Sequence, residues 1–259
     1  MDLRDAVALS LLPRLSRRAL TNEFREALRR DEAPAGQADV TLDTLHQRLG
    51  CNEPGLRAAI RRARGLAERA LGRGRVVGAE PVPLNDSRYP DALAAVPDPP
   101  PVLWVRGQIA ALSTPSVAIV GSRAGSPYAL EVARRLGADL AERGVTVVSG
   151  LARGVDSAAH RGALAVSGRT VAVLGSGVDI VYPPEHAALA AAITTDGARV
   201  RELVTGTPPR AEHFPARNRI ISGLSLAILV IEASERSGPL ITFRCGLEQG
   251  REVMAVPAF

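Results

Sequence analysis

Four glycine-rich segments hold the residue types best suited to chemistry in this chain: GSRAGS (121 to 126), SGLARGVDS (149 to 157), GSGVD (175 to 179) and EASERSGPLIT (232 to 242). Glycine lets backbone approach a ligand closely, and a helix starting beyond such a loop offers unpaired N–H groups and its positive dipole end to phosphate. Gly121, Ser122, Gly150, Gly154, Gly175, Ser237 and Gly238 are therefore candidate anion contacts. Arginines punctuate the loops and the block between the last two: Arg123, Arg153, Arg217, Arg219 and Arg236. A guanidinium fork binds phosphate or a base edge bidentately, so several forks on one rim suit a nucleotide chain better than a neutral metabolite.

Other chemistries are excluded or weakened by the same inspection. All 32 basic residues are arginine. A Walker A loop needs its lysine on the phosphates and a Schiff-base enzyme needs an amine, so neither fits. GSRAGS is not G-x-G-x-x-G, and GSGVDI lacks the third glycine that seats the helix on its strand, so dinucleotide binding is poorly supported. His46, His160, His186 and His213 are dispersed without metal-ligand spacing. His160, one turn into the helix after SGLARGVDS, is the exception that can face the anion rim. Asp156, Asp179, Glu202, Glu232 and Glu235 offer carboxylates for hydrolysis, although Asp156 reads better as a cap on the helix that follows it. Cys51 and Cys245 have no CxxC partner and read as buried free thiols. No cofactor or metal is called for.

The elements that must position these loops follow from apolar periodicity. From Ser116 onward, β-rich runs (SVAIV, TVVSG, TVAVLG, VRELV, LAILVIEA, EVMAVP) alternate with helical patterns such as YALEVARRLGADLAERG, DSAAHRGALAVSG, ARNRIISGL and LITFRCGLEQG. Continuous apolar strands separated by amphipathic helices predict a mainly parallel, doubly wound α/β sheet of Rossmann-like type, with every strand-to-helix loop at the carboxyl edge. Residues 1 to 80 show only helical spacing and predict a small all-helical N-terminal domain. The Pro-rich stretch 80 to 101 reads as a linker or extended wrap opening the second domain, 81 to 259.

The formal net charge of +5 permits nucleic-acid binding, and its distribution is uneven: residues 1 to 80 contain 15 Arg against 11 acids, the rest 17 against 16. Within GLRAAIRRARGLAERALGRGR (55 to 75), seven arginines face one acid, Glu68. A helix this basic either tracks phosphates or presents a solvated face. The apolar runs are far shorter than the roughly 20 residues a membrane span needs, and Met1 opens no signal-peptide pattern, so a cytoplasmic protein is expected.

VAIVGSR (117 to 123), SGLARGVDSAAHRGAL (149 to 164), AVLGSGVDIVYPPEH (172 to 186), HFPARNRIISGLS (213 to 225) and ERSGPLIT…GREVMAVP (235 to 257) resemble, in order and spacing, the DNA-processing protein A (Smf) family. The FPxRNRII block is the most specific of them. The resemblance implies a Rossmann-like domain that binds single-stranded DNA in a basic pocket, forms a homodimer and loads the RecA recombinase in natural transformation and recombinational repair. It further implies that Arg123, with Arg217, Asn218 and Arg219 of the RNR triplet, meets phosphates or a base, and that Phe214 stacks on a base. Relatives commonly read GSL at Gly238, Pro239 and Leu240, and often continue past the position of Phe259 into a winged-helix module. The enzymatic alternative is a nucleoside monophosphate phosphoribohydrolase of related fold. Its PGGxGTxxE loop is replaced here by ERSGPLIT.

Overall fold

A computed structural model describes residues 1–30, 41–48, 54–234 and 238–257. Four helices come first: α1 (Leu3–Ser10), α2 (Arg14–Arg30), α3 (Leu42–Arg48) and α4 (Pro54–Val77). The Asp2 carboxylate caps α1 by accepting from the Asp5 N–H at 2.7 Å. On α4, Ile60, Ala63, Ala67 and Ala70 recur at helical spacing and are buried, while Arg61, Arg62 and Arg69 between them are exposed and Arg64 turns to the buried Asp5.

The Pro-rich stretch supplies β1 (Glu80–Pro83) and the short helix α5 (Asp91–Ala94), and leads into β2 (Val102–Gly107). Pro81 and Pro83 are tolerated because β1 is an edge strand with no further ladder to feed. The expected alternation then follows: β3 (Ser116–Gly121), α6 (Pro127–Glu142), β4 (Thr146–Ser149), α7 (Val155–Ala165), β5 (Thr170–Val173), α8 (Ala187–Asp196), β6 (Ala198–Arg201), α9 (His213–Leu224), β7 (Ala227–Ile231), α10 (Gly238–Glu248) and β8 (Glu252–Ala255). The sheet order is β1-β2-β6-β5-β4-β3-β7-β8. Strands β3 to β8 pair in parallel, while β1 and β2 are antiparallel additions beyond β6. The chain winds from β3 outward to β6, then returns to place β7 on the other side of β3. Strand order therefore reverses between β3 and β7, and ligands bind at such a reversal.

Helices α6 and α7 cover Ile119, Val147 and Ile231 on one face, and α8 covers Ala172 and Leu174 beside them. On the other face Ile220, Ile221 and Leu224 of α9 share a core with Val120, Val148 and Val173. That core continues without a break into Leu9, Phe24, Leu45 and Ile60, so side chains from both sides of the boundary expected at residue 80 pack together. Trp104 of β2 is fully buried there. A side chain at Gly74 of α4 would come within 2.5 Å of its ring, so α4 is seated closely on the sheet. Removing an indole of this size from water contributes at most about 4–6 kcal/mol. Among the described residues no helix is long and apolar enough to cross a membrane. Cys245 is a half-buried free thiol whose pKa burial pushes up, and Cys51 lies outside the described residues.

Candidate functional site

A cleft of about 980 Å³ opens at the carboxyl edge where β3 and β7 diverge. Its walls are the loop after β3 (Gly121 to Ala124), the loop after β7 (Glu232 to Ser234), the start of α10 and one side of α9. Of the residues expected on this rim, Gly121, Ser122, Arg123, Phe214, Arg217, Asn218 and Gly238 line the cleft. Ser237 lies outside the described residues, as do Glu235 and Arg236.

Phe214 is the centre of the polar and aromatic groups at the mouth. The Arg123 guanidinium sits 5.3 Å from its ring centroid, Arg217 6.0 Å, and the Tyr182 ring 5.6 Å at an interplanar angle of 57°. A quadrupolar ring face attracts a cation, so Phe214 gathers these charges at the mouth of the cleft. Arg123 and Tyr182 are exposed and Phe214 is half-buried, which leaves this surface open to solvent. Gly175 is required behind the ring, because a Cβ there would lie 2.6 Å from it.

Arg217 works from below rather than from the rim. It is only 4% exposed, and its Nη1 donates to the Gly150 carbonyl at 2.6 Å and to the Val173 carbonyl. It thus ties the ends of β4 and β5, and Gly150 must be glycine because any side chain there would overlap the guanidinium. Burial lowers the Arg217 pKa to about 10, the Asp156 carboxylate opposing that shift, so it is charged at neutral pH. Burial likewise raises the Asp156 pKa against the pull of Arg217. Asp156 does not cap α7 as its position suggested. It accepts from the Gly150 and Ala152 N–H groups at 3.1 and 3.3 Å and so braces the loop before the helix. Gly154, at φ 74°, occupies the N-cap position of α7 without a side-chain bond. Asn218 Nδ2 donates to the Gly238 carbonyl at 3.3 Å, joining α9 to the start of α10.

The expectation that each helix N-terminus is open to phosphate fails at α6. The Ser126 N–H there donates to the Glu232 carboxylate at 3.1 and 3.0 Å, Pro127 has no N–H, and the Ala129 N–H goes to Ser126 Oγ at 3.2 Å. Glu232 adopts φ 51° to reach that place, a left-handed conformation that side chains disfavour. Its pKa is lowered, chiefly by the bond from the Ser126 side chain. An internal carboxylate thus takes the N–H at the N-cap of α6 beside the strand reversal.

Six expected site residues do not line the cleft: Gly150 and Gly175 make room for Arg217 and Phe214, Gly154 stands at the N-cap of α7, and His160, Arg219 and Arg153 are placed elsewhere. His160 has no exposed surface; its Nδ1 lies 2.6 Å from Thr170 Oγ1, beneath the sheet edge rather than on it. Arg219 points away from the cleft and pairs with Glu202 at 2.7 Å and Asp98 at 3.3 Å. Arg153 is exposed but outside the cleft, in an ion pair with Glu185 at 2.5 Å. Conversely, Arg210 and Tyr182 line the cleft and carried no glycine signal. Arg210 lies three residues before the HFPARNRII block, and Tyr182 inside the GSGVDIVYPPEH block, which is where a motif reading had to look.

Comparison with known proteins places the chain in a family and a fold. Residues 80–259 match the family model for DNA recombination-mediator protein A. The chain is 50% identical to Protein Smf of Escherichia coli over 177 residues, 68% of this chain and 47% of that one. It is 39% identical to DNA processing protein DprA of Bacillus subtilis over 190 residues, 73% of this chain and 64% of that one. The chain thus spans about half the length of the first of these curated relatives. Among solved structures it is similar to DNA processing protein A of Streptococcus pneumoniae, with a TM-score of 0.84 and 32% identity, covering 100% of this chain and 88% of that one. It is also similar to DNA processing protein A of Helicobacter pylori, described for its single-stranded DNA binding mode, with a TM-score of 0.64 and 28% identity over 71% of this chain and 83% of that one.

Proposed function

The chain belongs to the DNA recombination-mediator protein A family, and on that footing we propose that its cleft binds single-stranded DNA for transfer to the RecA recombinase in transformation and recombinational repair. The observation carrying the reading is the cluster of the half-buried Phe214 with the exposed Arg123 and Tyr182 at the strand reversal. It offers a stacking face with a cation already beside it, and a single strand presents unpaired bases alongside phosphates. The single-stranded DNA binding mode described for the Helicobacter pylori relative supports the same assignment.

The reading is of a binding protein rather than an enzyme. Glu232 is tied to the start of α6, and Asp156 is tied to loop amides, so both carboxylates nearest the cleft already hold partners. A phosphoribohydrolase needs a carboxylate directed at its substrate. A homodimer is supported by the open edge of β8. Met254 on that strand is 49% exposed, and Leu247 of α10 and Leu226 before β7 are 57 and 58% exposed, apolar surface that a second copy could cover. The cytoplasm, where the recombinase acts, is the location that fits.

The test is fluorescence anisotropy with single-stranded and duplex oligonucleotides of matched length at two salt concentrations. Tighter binding to the single strand, weakening steeply as salt rises, is expected. Equal or tighter binding to duplex would overturn the assignment.

A further inference from the structure

The arginines of α4 remain unused by the cleft, and their placement is informative. Arg62, Arg69 and Arg73 are exposed and follow at i, i+7 and i+11, so they form one stripe along the helix. None of the three is in an ion pair among the described residues, whereas Arg64 is paired with Asp5 and Asp43, and Glu68 with Arg4. Acids are thus spent on other arginines while this row stays open. Arg69 and Arg73 also stand at i, i+4, a like-charge spacing that concentrates positive charge on one side of the helix.

The stripe ends beside the cleft. Gly206 in the loop between β6 and α9 lies against the Arg73 guanidinium, whose Nη1 would be 3.2 Å from a Cβ at that position. Three residues further along the same loop, Pro209 and then Arg210 line the cleft. Three residues span at most about 10 Å, so a backbone leaving the cleft past Arg210 reaches Arg73 within two or three phosphates. Gly74, packed under the Trp104 ring, fixes the helix at that end. From Arg73 the row runs back to Arg62 over roughly 16 Å.

We propose that the Arg62, Arg69 and Arg73 face of α4 is a second polyanion tract, which receives the phosphates of single-stranded DNA as it leaves the cleft past Arg210. The proposal rests on the cleft reading for the identity of its ligand and adds a site in the N-terminal helical region. With no aromatic residue on that helix, the tract contacts phosphates only and is blind to sequence. It lengthens the bound segment and steepens the salt dependence.

The experiment compares the wild type with a combined Arg62→Gln, Arg69→Gln, Arg73→Gln variant, using labelled thymidine oligonucleotides of about six and about twenty nucleotides, a range that brackets common site sizes. A control variant carries Arg135→Gln, Arg143→Gln and Arg169→Gln, three exposed arginines elsewhere on the surface, and has the same net charge. The α4 variant should bind the short strand like the wild type and the long strand at least tenfold more weakly. Its slope of log affinity against log salt should be shallower by about 2, the value for three phosphates on a single strand. The control should keep the wild-type slope. Wild-type affinity and slope on the long strand, an equal loss on both lengths, or an equal loss in the control would each overturn the tract. Failure of the wild type to bind the short strand, with the long-strand difference intact, would instead overturn the cleft reading and leave the tract standing.

Discussion

Arg217 and Arg219 are two residues apart on one helix and serve opposite regions of the molecule. Roughly 200° of rotation separates them, so one faces the cleft and the other the flank of the sheet. On the cleft side Arg217 lies beneath Phe214, and Arg123 above it is exposed. On the flank Arg219 is held by Glu202 at the end of β6 and by Asp98 of the Pro-rich stretch, both largely out of water. Burial works to raise the Glu202 pKa there, but the charges of Arg219, Arg17 and Arg201 overcome it and the carboxyl titrates below its usual value. Sharing a motif therefore does not mean sharing a task. The flank side of α9 is held by ion pairs, and its other side lines the cleft.

The sharpest way to break this contrast is to remove one arginine from each region. Arg219→Ala strands the Glu202 carboxylate, which is 5% exposed, and should cost about 3–5 kcal/mol of folding stability. DNA affinity of the protein that remains folded should be unchanged. Arg123→Ala should do the reverse, leaving the thermal melt in place and weakening single-stranded DNA binding by about 1.5–3 kcal/mol, the scale of a charged hydrogen bond. Denaturant unfolding and anisotropy on both variants measure the two effects. A stability loss at Arg123 with none at Arg219 would invert the assignment of the two regions.

His160 sharpens the comparison from the side of the core. Thr170 Oγ1 donates to the Val147 carbonyl at 2.7 Å, so the 2.6 Å contact with His160 must run from Nδ1–H to that hydroxyl. Nε2 is then a buried lone pair with no partner among the described residues. Burial, aided by the charge of Arg217, lowers the imidazole pKa from 6.5 to about 3. The unfolded chain accepts the proton first, so this contribution is complete above about pH 7 and is lost as the pH falls from 6.5 towards 3. At pH 4.5 the loss should be about 2–3 kcal/mol, and it should be absent from a His160→Gln variant. Parallel stability curves for the two proteins between pH 7 and 4.5 would place His160 in solvent, back on the rim.

The sequence discloses the sheet because strands buried on both faces are continuous apolar runs, and SVAIV or LAILVI can be little else. The glycines were visible but their task was not: Gly150 and Gly175, expected as anion contacts, instead leave room for Arg217 and Phe214, a demand that no other residue meets. What could not be read is which arginine turns inward. That depends on Glu202, 17 residues away, and on Asp98, 121 residues away, and helical spacing says nothing of partners brought by the fold. His160 escaped for the same reason, its partner Thr170 standing on a neighbouring strand. The four helices before Gly78 were visible in their periodicity, whereas their common core with the sheet depended on Trp104 meeting Gly74.

The smallest expected effect tests whether the cleft side is an aromatic site or only a basic one. Phe214→Leu keeps an apolar side chain over Gly175 and removes the ring from between Arg123, Arg217 and Tyr182. If stacking contributes, single-stranded DNA affinity should fall by about 1 kcal/mol, the low end of a base–aromatic contact. The salt slope should stay as it was, because no phosphate contact is lost. Phe214→Tyr retains a ring face and should bind like the wild type. A loss in the leucine variant accompanied by a shallower slope would mean that Phe214 acts only by holding Arg123 in position. The cleft would then resemble the flank in kind, with charge placed by packing, and would differ from it only in being open to solvent.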